Sequence, residues 1–553
     1  MSSPWKWPRW PALALAAAAS AGFAAEPLPA QRTLAAGPFR PTWESLAAQY
    51  RCPDWFRDAK LGIWAHWSAQ CVPEEGDWYA RNMYLQGNRQ YDAHRAKYGH
   101  PSESGFMEID NRWKADHWDP EALMQLYVAA GAHFFVALAN HEDNFDTYNS
   151  RYFDWNAVRV GPHRDIVGAW AKVARAHGLR FGVSNHSSHA WHSFQTAYGY
   201  DAEGPKAGIR YDAARLTKAD GRGQWWEGLD PQDLYGGPRP GMVLPDGFTS
   251  AKAANQWQAD HNLPWTEAPP PGDPLFVDRW FFRLQDLIDT YQPDLVYLDN
   301  TELPLGQAGL DIAAHYYNAN RALHGGKLEA VLTAKRMSKE HRPAVVQDYE
   351  RSVGNGGVQP QPFETCTCIG EWHYQRNIEY KSVAQVVRML VDVVSKNGTL
   401  LLNIPQRGDG TIDDREVAFL HGLAQWTQVN GEGIFGSRPW RTFGEGPTQV
   451  PKGRAADRAI TYTAEDVRFT TRDGKLYLFV LAEPTGPIEV RALGLDAAAG
   501  QNIQAVQLVG SDEPVRWAQD GDALHVEPPS RLPSAAVISY RITLAGSPAV
   551  AAL

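Results

Sequence analysis

Cysteine is scarce in this sequence, with four residues among 553. Cys52, Cys71, Cys366 and Cys368 are too few to supply a disulfide framework at this length, and whether any single bridge forms stays open. The one-residue spacing of Cys366 and Cys368 also differs from the spacing of common zinc sites. We therefore expect buried free thiols.

Long apolar runs are missing too, and the nearest approach to one lies at the N-terminus. Lys6 and Arg9 precede an Ala/Leu-rich stretch from Pro11 to Ala19, which is shorter than the roughly 20 residues of a membrane-spanning helix. This order, with small residues before the cleavage point, is typical of a secretory signal. We predict that residues 1–24 are removed after Ala24 and that the protein is secreted or periplasmic.

Positive charge is in the minority, since 63 acidic residues outnumber 53 basic ones and give a net charge of −10. Without a long basic run, electrostatic capture of nucleic acid or of an anionic membrane is excluded. Intrinsic disorder is excluded for most of the chain because 44% of the residues are hydrophobic and 12% are aromatic. The composition favours a folded protein with a neutral or cationic partner, and it leaves the oligomeric state open.

What is present is an alternation of short apolar runs with helical patterns. We predict strands over Leu61–Trp67, His133–Asn140, Arg180–Asn185, Asp294–Asp299, Ala344–Asp348 and Thr399–Ile404. Apolar residues at helical spacing predict helices over Pro120–Ala130, Asp165–His177, Val277–Tyr291 and Ser382–Val394. This alternation predicts an α/β fold, a (β/α)8-like barrel over residues 25–445, with catalytic residues at the C-terminal ends of its strands.

From about residue 446 the pattern changes to short alternating segments. These are Val467–Thr471, Lys475–Leu481, Ile488–Leu493, Ile503–Val509, Ala523–Val526 and Ala536–Leu544. Arg472-Asp473-Gly474 is a hairpin signal between the first two. Residues 446–553 are therefore predicted to form an antiparallel β-sandwich with a structural role.

A long segment rich in Gly, Pro and Trp, Tyr198–Asp273, interrupts the barrel pattern and contains Trp225-Trp226. Insertions of this length are usually lids or binding walls. Tryptophan faces stack on sugar rings, so a binding wall is favoured, although the two tryptophans could instead pin the segment to the barrel.

Polar side chains gather where three of the predicted barrel strands end. These residues are His66, Asn140, His141, Glu142 and His186, with Asp77 and Trp78 following the first strand. Histidines delivered to one rim of a barrel predict a polar pocket. His66, His141, Glu142 and His186 could instead bind a metal, but the sequence has no H-E-x-x-H or similar helix-borne pair.

Two further strand ends carry carboxylates. Asp299 follows four apolar residues, where it could be a nucleophile or could cap the next helix, and Glu350 follows the next predicted strand. Glycoside hydrolysis requires two carboxyl groups that face one pocket. One attacks the sugar, and the other protonates the leaving oxygen.

Several motifs resemble the α-L-fucosidases of glycoside hydrolase family 29. They are WFRDAKLGIWAHW over Trp55–Trp67, WYARNM over Trp78–Met83, VDVVSKNGTLLLN over Val391–Asn403, DGTI over Asp409–Ile412 and NGEGIFGSRPW over Asn430–Trp440. The resemblance runs in order from about residue 43 to residue 440. It implies a retaining exo-glycosidase that acts on a fucosylated oligosaccharide or glycoconjugate, with a (β/α)8-like catalytic domain, a C-terminal β-sandwich and no metal or organic cofactor.

Carried over by position, the resemblance places the nucleophile on Asp299. It implies sugar contacts by His66, Asp77, Trp78 and His141, to which we add Asn140, His186, Tyr297 and Trp372. The acid/base position varies within the family. Glu350 fits best, and Glu364, Glu371 and Glu302 remain alternatives.

The sequence departs from the common family pattern at Asn140-His141, at Ser184-Asn185-His186 and at Tyr297-Leu298-Asp299-Asn300. All three changes touch the expected sugar pocket, so an α-L-galactosidase on the same scaffold is an alternative to the α-L-fucosidase. A secreted carbohydrate-binding protein without catalysis is an alternative of another class.

Overall fold

The computed structural model describes residues 24–262, 266–354, 356–449, 456–497, 501–534, 536–548 and 550–551. The predicted signal segment lies outside these residues except for Ala24. Within the described part of the chain, no helix is both long and apolar enough to cross a membrane. All four cysteines are free thiols, and only Cys52 is not fully buried.

Eight parallel strands close into a barrel in which each strand pairs with the next and the last pairs with the first. They are β1 (Leu61–Ala65), β2 (Phe134–Asn140), β3 (Arg180–Asn185), β4 (Leu295–Thr301), β5 (Val331–Lys335), β6 (Val346–Asp348), β7 (Phe363–Cys368) and β8 (Gly398–Asn403). The predicted fold class is confirmed. The sequence analysis missed β5 and β7, because β5 follows a helical pattern and β7 carries buried polar residues.

Helices surround the barrel and fill its loops. They are α1 (Trp43–Gln49), α2 (Asp54–Ala59), α3 (Tyr79–Asn82), α4 (Arg89–Tyr98), α5 (Phe106–Arg112), α6 (Pro120–Ala129), α7 (Ile166–Ala176), α8 (Ala190–Ser193), α9 (Pro231–Tyr235), α10 (Ala251–Asn262), α11 (Pro274–Tyr291), α12 (Gln307–Leu323), α13 (Val383–Ser395), α14 (Asp414–Asn430) and α15 (Ala456–Ala459). The four predicted helices are α6, α7, α11 and α13. Each begins after a side chain that accepts a hydrogen bond from a first-turn N–H, namely Asp119, Asp165, Asp273 or Ser382.

The C-terminal part forms two antiparallel sheets, as predicted. The strands are β9 (Arg438–Glu445), β10 (Val467–Arg472), β11 (Lys475–Val480), β12 (Ile488–Val490), β13 (Ile503–Leu508), β14 (Trp517–Gln519), β15 (Leu524–Val526) and β16 (Ile538–Leu544). One sheet has the order β13-β16-β11-β10-β9 and the other β12-β15-β14, and both contribute to one apolar core. Arg472 pairs with Lys475 across a turn whose central residues, Asp473 and Gly474, have φ of 50° and 71°. The first sheet already begins at Arg438, within the segment assigned above to the barrel.

The sandwich is fixed to the barrel through α13. Asp392 on this helix is fully buried, and its carboxylate contacts Lys396 at 2.7 Å and Arg468 of β10. Trp426 of α14 donates its indole N–H to the carbonyl of Val537 at 2.9 Å. The barrel and the sandwich are therefore joined by a buried ion-pair network of one carboxylate and two cations.

The inserted segment is folded and includes α9 and α10. Trp226 is buried, and Trp225 donates its indole N–H to Glu108 at 2.9 Å. Neither tryptophan lines the cavities described below. The tryptophans therefore pin the segment, and the segment reaches the main cavity through Glu267 instead.

Candidate active site

A cavity of about 480 Å³ opens at the C-terminal ends of the barrel strands. It is lined by all but one of the residues predicted for the site, namely His66, Asp77, Trp78, His141, His186, Tyr297, Asp299, Glu350 and Trp372. These residues come from the ends of different strands and from the loops that follow them, as expected for a barrel of this class.

Asn140 is the predicted residue that does not line the cavity. Its side-chain N–H donates to Asp146 at 2.9 Å, and its oxygen accepts from the backbone N–H groups of His186 and Ser187 at 3.2 and 3.3 Å. The amide is buried, and both its nitrogen and its oxygen have hydrogen-bond partners. Asn140 thus positions the loop that carries His186 and does not line the cavity.

Asp299 lies in an irregular stretch of β4. Tyr297 pairs with Thr333 of β5 and Thr301 pairs with Lys335, so β4 has extra residues between these two points. A bulge of this kind re-aims side chains and is common beside active sites. Here the bulge places Asp299 in the cavity wall next to Tyr297.

Lys335, at the end of β5, contacts both predicted catalytic carboxylates. Its ammonium forms an ion pair with Asp299 Oδ1 and lies 2.9 Å from Glu350 Oε2. Burial raises the pKa of Asp299, but Lys335 and His186 outweigh it and hold the pKa well below the ordinary value. Asp299 is therefore ionised at neutral pH. The sequence analysis missed Lys335 together with its strand.

The four candidate acid/base residues occupy different places. Glu350 lines the cavity and is partly exposed, whereas Glu364 is fully buried and neither of its oxygens has a hydrogen-bond partner among the described residues. Glu302 contacts His341 and accepts from the backbone N–H of Ser338 at 2.8 Å, away from the cavity.

Glu371, the remaining candidate, does not line this cavity. It is paired with Arg351 at 3.2 Å and faces a neighbouring cavity. Of the four carboxylates, Glu350 alone shares the main cavity with Asp299.

Three histidines form one wall of the cavity. The ring centroids of His66, His141 and His186 lie between 4.7 and 5.1 Å apart. Burial, reinforced by the neighbouring histidines, holds the pKa of His66 well below its ordinary value, and neither of its ring nitrogens has a hydrogen-bond partner among the described residues. A neutral imidazole with two unused nitrogens can donate to and accept from the hydroxyl groups of a ligand.

His141, unlike His66, is protonated at neutral pH. Burial lowers its pKa, but Glu142, 2.5 Å from His141 Nδ1, and Asp77 outweigh burial and raise the pKa to about 10. The same wall therefore presents one neutral imidazole and one imidazolium at neutral pH.

His373 was not predicted, and it does not line the cavity, but its ring lies 4.8 Å from that of His66 and 4.9 Å from that of His141. Its Nδ1 lies 2.6 Å from Asp77 Oδ1, and its Nε2 lies 3.1 Å from Ser68 Oγ. The ring is completely buried. His373 thus holds Asp77 in place, and in the sequence its one signal was its position beside Trp372.

Two groups of these side chains are close enough to hold a metal ion. The ligand atoms of His66, Asp77, His141 and His373 lie within 4.8 Å of one another, as do those of His141, Glu142 and His186. Most of these atoms already contact a partner within the cluster. The arrangement therefore fits a hydrogen-bonding pocket, and the expectation of no metal stays a prediction.

Comparisons with known proteins agree with this geometry. The model of the family described as Alpha-L-fucosidase matches residues 28–432. Tissue alpha-L-fucosidase of Rattus norvegicus is 25% identical over 517 residues, which cover 92% of this chain and 90% of that protein. Tissue alpha-L-fucosidase of Homo sapiens is 24% identical over 516 residues, covering 92% of this chain and 91% of that protein.

Solved structures give the same result. The alpha-fucosidase of Thermotoga maritima in complex with a mechanism-based inhibitor matches with a TM-score of 0.65 and 25% identity, covering 91% of this chain and 100% of that one. The likeness to this structure extends over the barrel and the sandwich.

Proposed function

Because the chain belongs to the α-L-fucosidase family, it is a glycoside hydrolase, and we propose that it removes terminal α-L-fucosyl residues with Asp299 as nucleophile and Glu350 as acid/base. The observation that carries this proposal is that one ammonium, that of Lys335, contacts an oxygen of each carboxylate. The two carboxylates are therefore close, in keeping with the roughly 5–5.5 Å separation of retaining glycosidases.

In the first step, a carboxylate oxygen of Asp299 forms a bond to the anomeric carbon while the bond to the leaving oxygen breaks. Glu350 gives its proton to that oxygen, so the leaving group departs as an alcohol. In the second step, Glu350 takes a proton from water, and the water oxygen displaces Asp299 from the sugar. Two inversions at one carbon retain its configuration.

The remaining cavity residues bind the sugar in this proposal. His66 and His141 meet its hydroxyls, and Asp77 is available as an acceptor because His373 fixes it. Trp78 and Trp372 lie against its apolar edge. The substrate is a fucosylated oligosaccharide or glycoconjugate, and the N-terminal pattern supports export to the periplasm or outside the cell.

The test is hydrolysis of an aryl α-L-fucoside and an aryl α-L-galactoside by residues 25–553. We expect the fucoside to be cleaved, with a chelator having no effect, and Asp299→Gly to lose activity by several orders of magnitude. Azide should then rescue this variant with formation of the β-fucosyl azide. Asp473→Gly, in the hairpin of the sandwich, is the control, and full activity of Asp299→Gly would overturn the proposal.

Azide rescue also tests whether Glu350 or Glu371 is the acid/base. Azide added to Glu350→Ala should give the α-fucosyl azide, because azide attacks the glycosyl-enzyme from the face that water normally uses. Glu371→Ala should not give this product. The opposite result would transfer the role to Glu371.

A further inference from the structure

Three imidazole rings and one carboxylate lie close together beside the main cavity. We call them the three-histidine cluster, which consists of His66, Asp77, His141 and His373. Their ligand atoms lie within 4.8 Å of one another, and the three ring centroids are between 4.8 and 5.0 Å apart. Imidazole nitrogens with a carboxylate oxygen, four ligands in all, are a donor set that a tetrahedral zinc ion accepts.

Asp77 lies at the centre of the cluster. Its Oδ1 is 2.6 Å from His373 Nδ1 and 3.8 Å from His141 Nε2. The ligand atoms of a tetrahedral zinc ion lie about 3.3–3.4 Å apart, because each bond to the ion is roughly 2.0–2.1 Å long. Small rotations of the side chains would therefore bring the ligand atoms of the cluster to bonding distance from one ion.

The other ring nitrogens of two of these histidines are held by neighbouring side chains. His141 Nδ1 lies 2.5 Å from Glu142 Oε2, and His373 Nε2 lies 3.1 Å from Ser68 Oγ. In metal sites, a ligating histidine binds the ion through one nitrogen and a carboxylate or another polar group through the other, which fixes the orientation of the ring. His141 and His373 are oriented in this way, with Nε2 and Nδ1 respectively facing Asp77.

His66 supplies an independent observation that points to a ligand. It is 2% exposed, and neither of its ring nitrogens has a hydrogen-bond partner among the described residues. A buried polar group without a partner costs free energy, which a bound ligand can recover. Because His66, Asp77 and His141 line the main cavity, a metal ion can reach the cluster through that cavity.

We propose that the three-histidine cluster binds one Zn²⁺ ion when the cavity holds no sugar, and that the bound ion inhibits the enzyme. The inhibition rests on the proposed function, in which His66, Asp77 and His141 bind the sugar. An ion that occupies these side chains removes them from the sugar, so zinc and substrate exclude each other. Zinc is an inhibitor here, and the hydrolysis itself proceeds without it. Mg²⁺ prefers oxygen ligands and should not bind.

The first measurement is zinc binding, which needs no turnover. Residues 25–553, freed of metal by a chelator and dialysis, compete for Zn²⁺ with a chromophoric chelator. We expect one site per chain, and a loss of affinity of about tenfold or more in His373→Gln and in His66→Gln, because each variant lacks one ligand. Either variant suffices if circular dichroism shows that the other does not fold. His421→Gln, at an exposed position of α14, is the matched control and should bind zinc as the wild-type protein does.

The second measurement is hydrolysis of an aryl α-L-fucoside at increasing concentrations of Zn²⁺. We expect KM to rise while kcat stays unchanged, EDTA to reverse the effect and Mg²⁺ to have none. Absence of zinc binding by the wild-type protein, equal binding by the two cluster variants and the control, or a fall in kcat at constant KM would each overturn this site. Failure of the metal-free enzyme to cleave the fucoside would instead overturn the proposed function, and the binding measurement would still decide whether the cluster holds zinc.

Discussion

At the scale of single residues, the positive charge of Lys335 favours the ionised form of Asp299. Burial alone would raise the pKa of Asp299, and the ammonium of Lys335, together with His186, reverses that effect. The pKa of Lys335 is in turn raised well above its ordinary value by Asp299 and Glu350, against the effect of burial. Asp299 and Lys335 therefore carry opposite charges that stabilise each other.

Replacing Lys335 by Met should raise the pKa of Asp299, because the positive charge beside this carboxylate is lost. Activity needs the ionised carboxylate, so it is lost as the pH falls, and the acidic limb of the kcat/KM profile should move to higher pH. A pH profile with an aryl fucoside measures the shift. Lys335→Arg should restore the wild-type limb, and an unmoved limb in Lys335→Met would show that another group sets it.

Much of the site could be predicted residue by residue, because His66, His141 and Asp299 each follow an apolar strand that the sequence reveals. Lys335 and His373 could not be predicted. Lys335 lies at the end of β5 and His373 lies in the loop after β7, and the sequence pattern revealed neither strand. Asn140 shows another limit. Its place at a strand end was correct, but the direction of its side chain depends on the partner Asp146.

At the scale of elements, neighbouring barrel strands pack a glycine against a large side chain. Gly62 of β1 pairs with Phe134 of β2, and the Phe134 ring lies where a β-carbon on Gly62 would be. A ring in a packed interior has little room to move. The sequence shows the apolar run of β1, but it does not show which side chain covers its glycine.

Gly62→Ala should therefore lower the free energy of unfolding by about 1–3 kcal/mol, the usual cost of overpacking a core. Chemical denaturation of the wild-type and variant proteins measures it. Gly486→Ala is the control, because no atom lies near its added β-carbon. Equal stability of Gly62→Ala and the wild-type protein would mean that Phe134 moves aside freely.

At the scale of the whole molecule, the sandwich and the barrel behave as one packed unit. Tyr477 and Phe479 of the sandwich belong to the same apolar core as the barrel. Asp392, Lys396 and Arg468 form a buried charged group across the junction. The alternating pattern predicted the sandwich, whereas this junction joins residues far apart in the chain and could not be predicted.

Asp392→Asn should destabilise the protein by about 3–5 kcal/mol, because it leaves two buried cations without a carboxylate. Denaturant unfolding followed by tryptophan fluorescence measures the change. Asp473→Asn removes a carboxylate from an exposed ion pair with Arg472 and should change stability little. A small effect of Asp392→Asn would indicate that water reaches the junction.

Glu267 connects the inserted segment to the strand that carries the nucleophile. Its carboxylate accepts the backbone N–H of Thr301 at 2.7 Å and the side-chain N–H of Asn300 at 2.6 Å. The amide hydrogen of Thr301 is thus protected by a side chain from another segment of the chain. Its rate of exchange with deuterium reports, without any added label, how often the segment lifts away from Asp299.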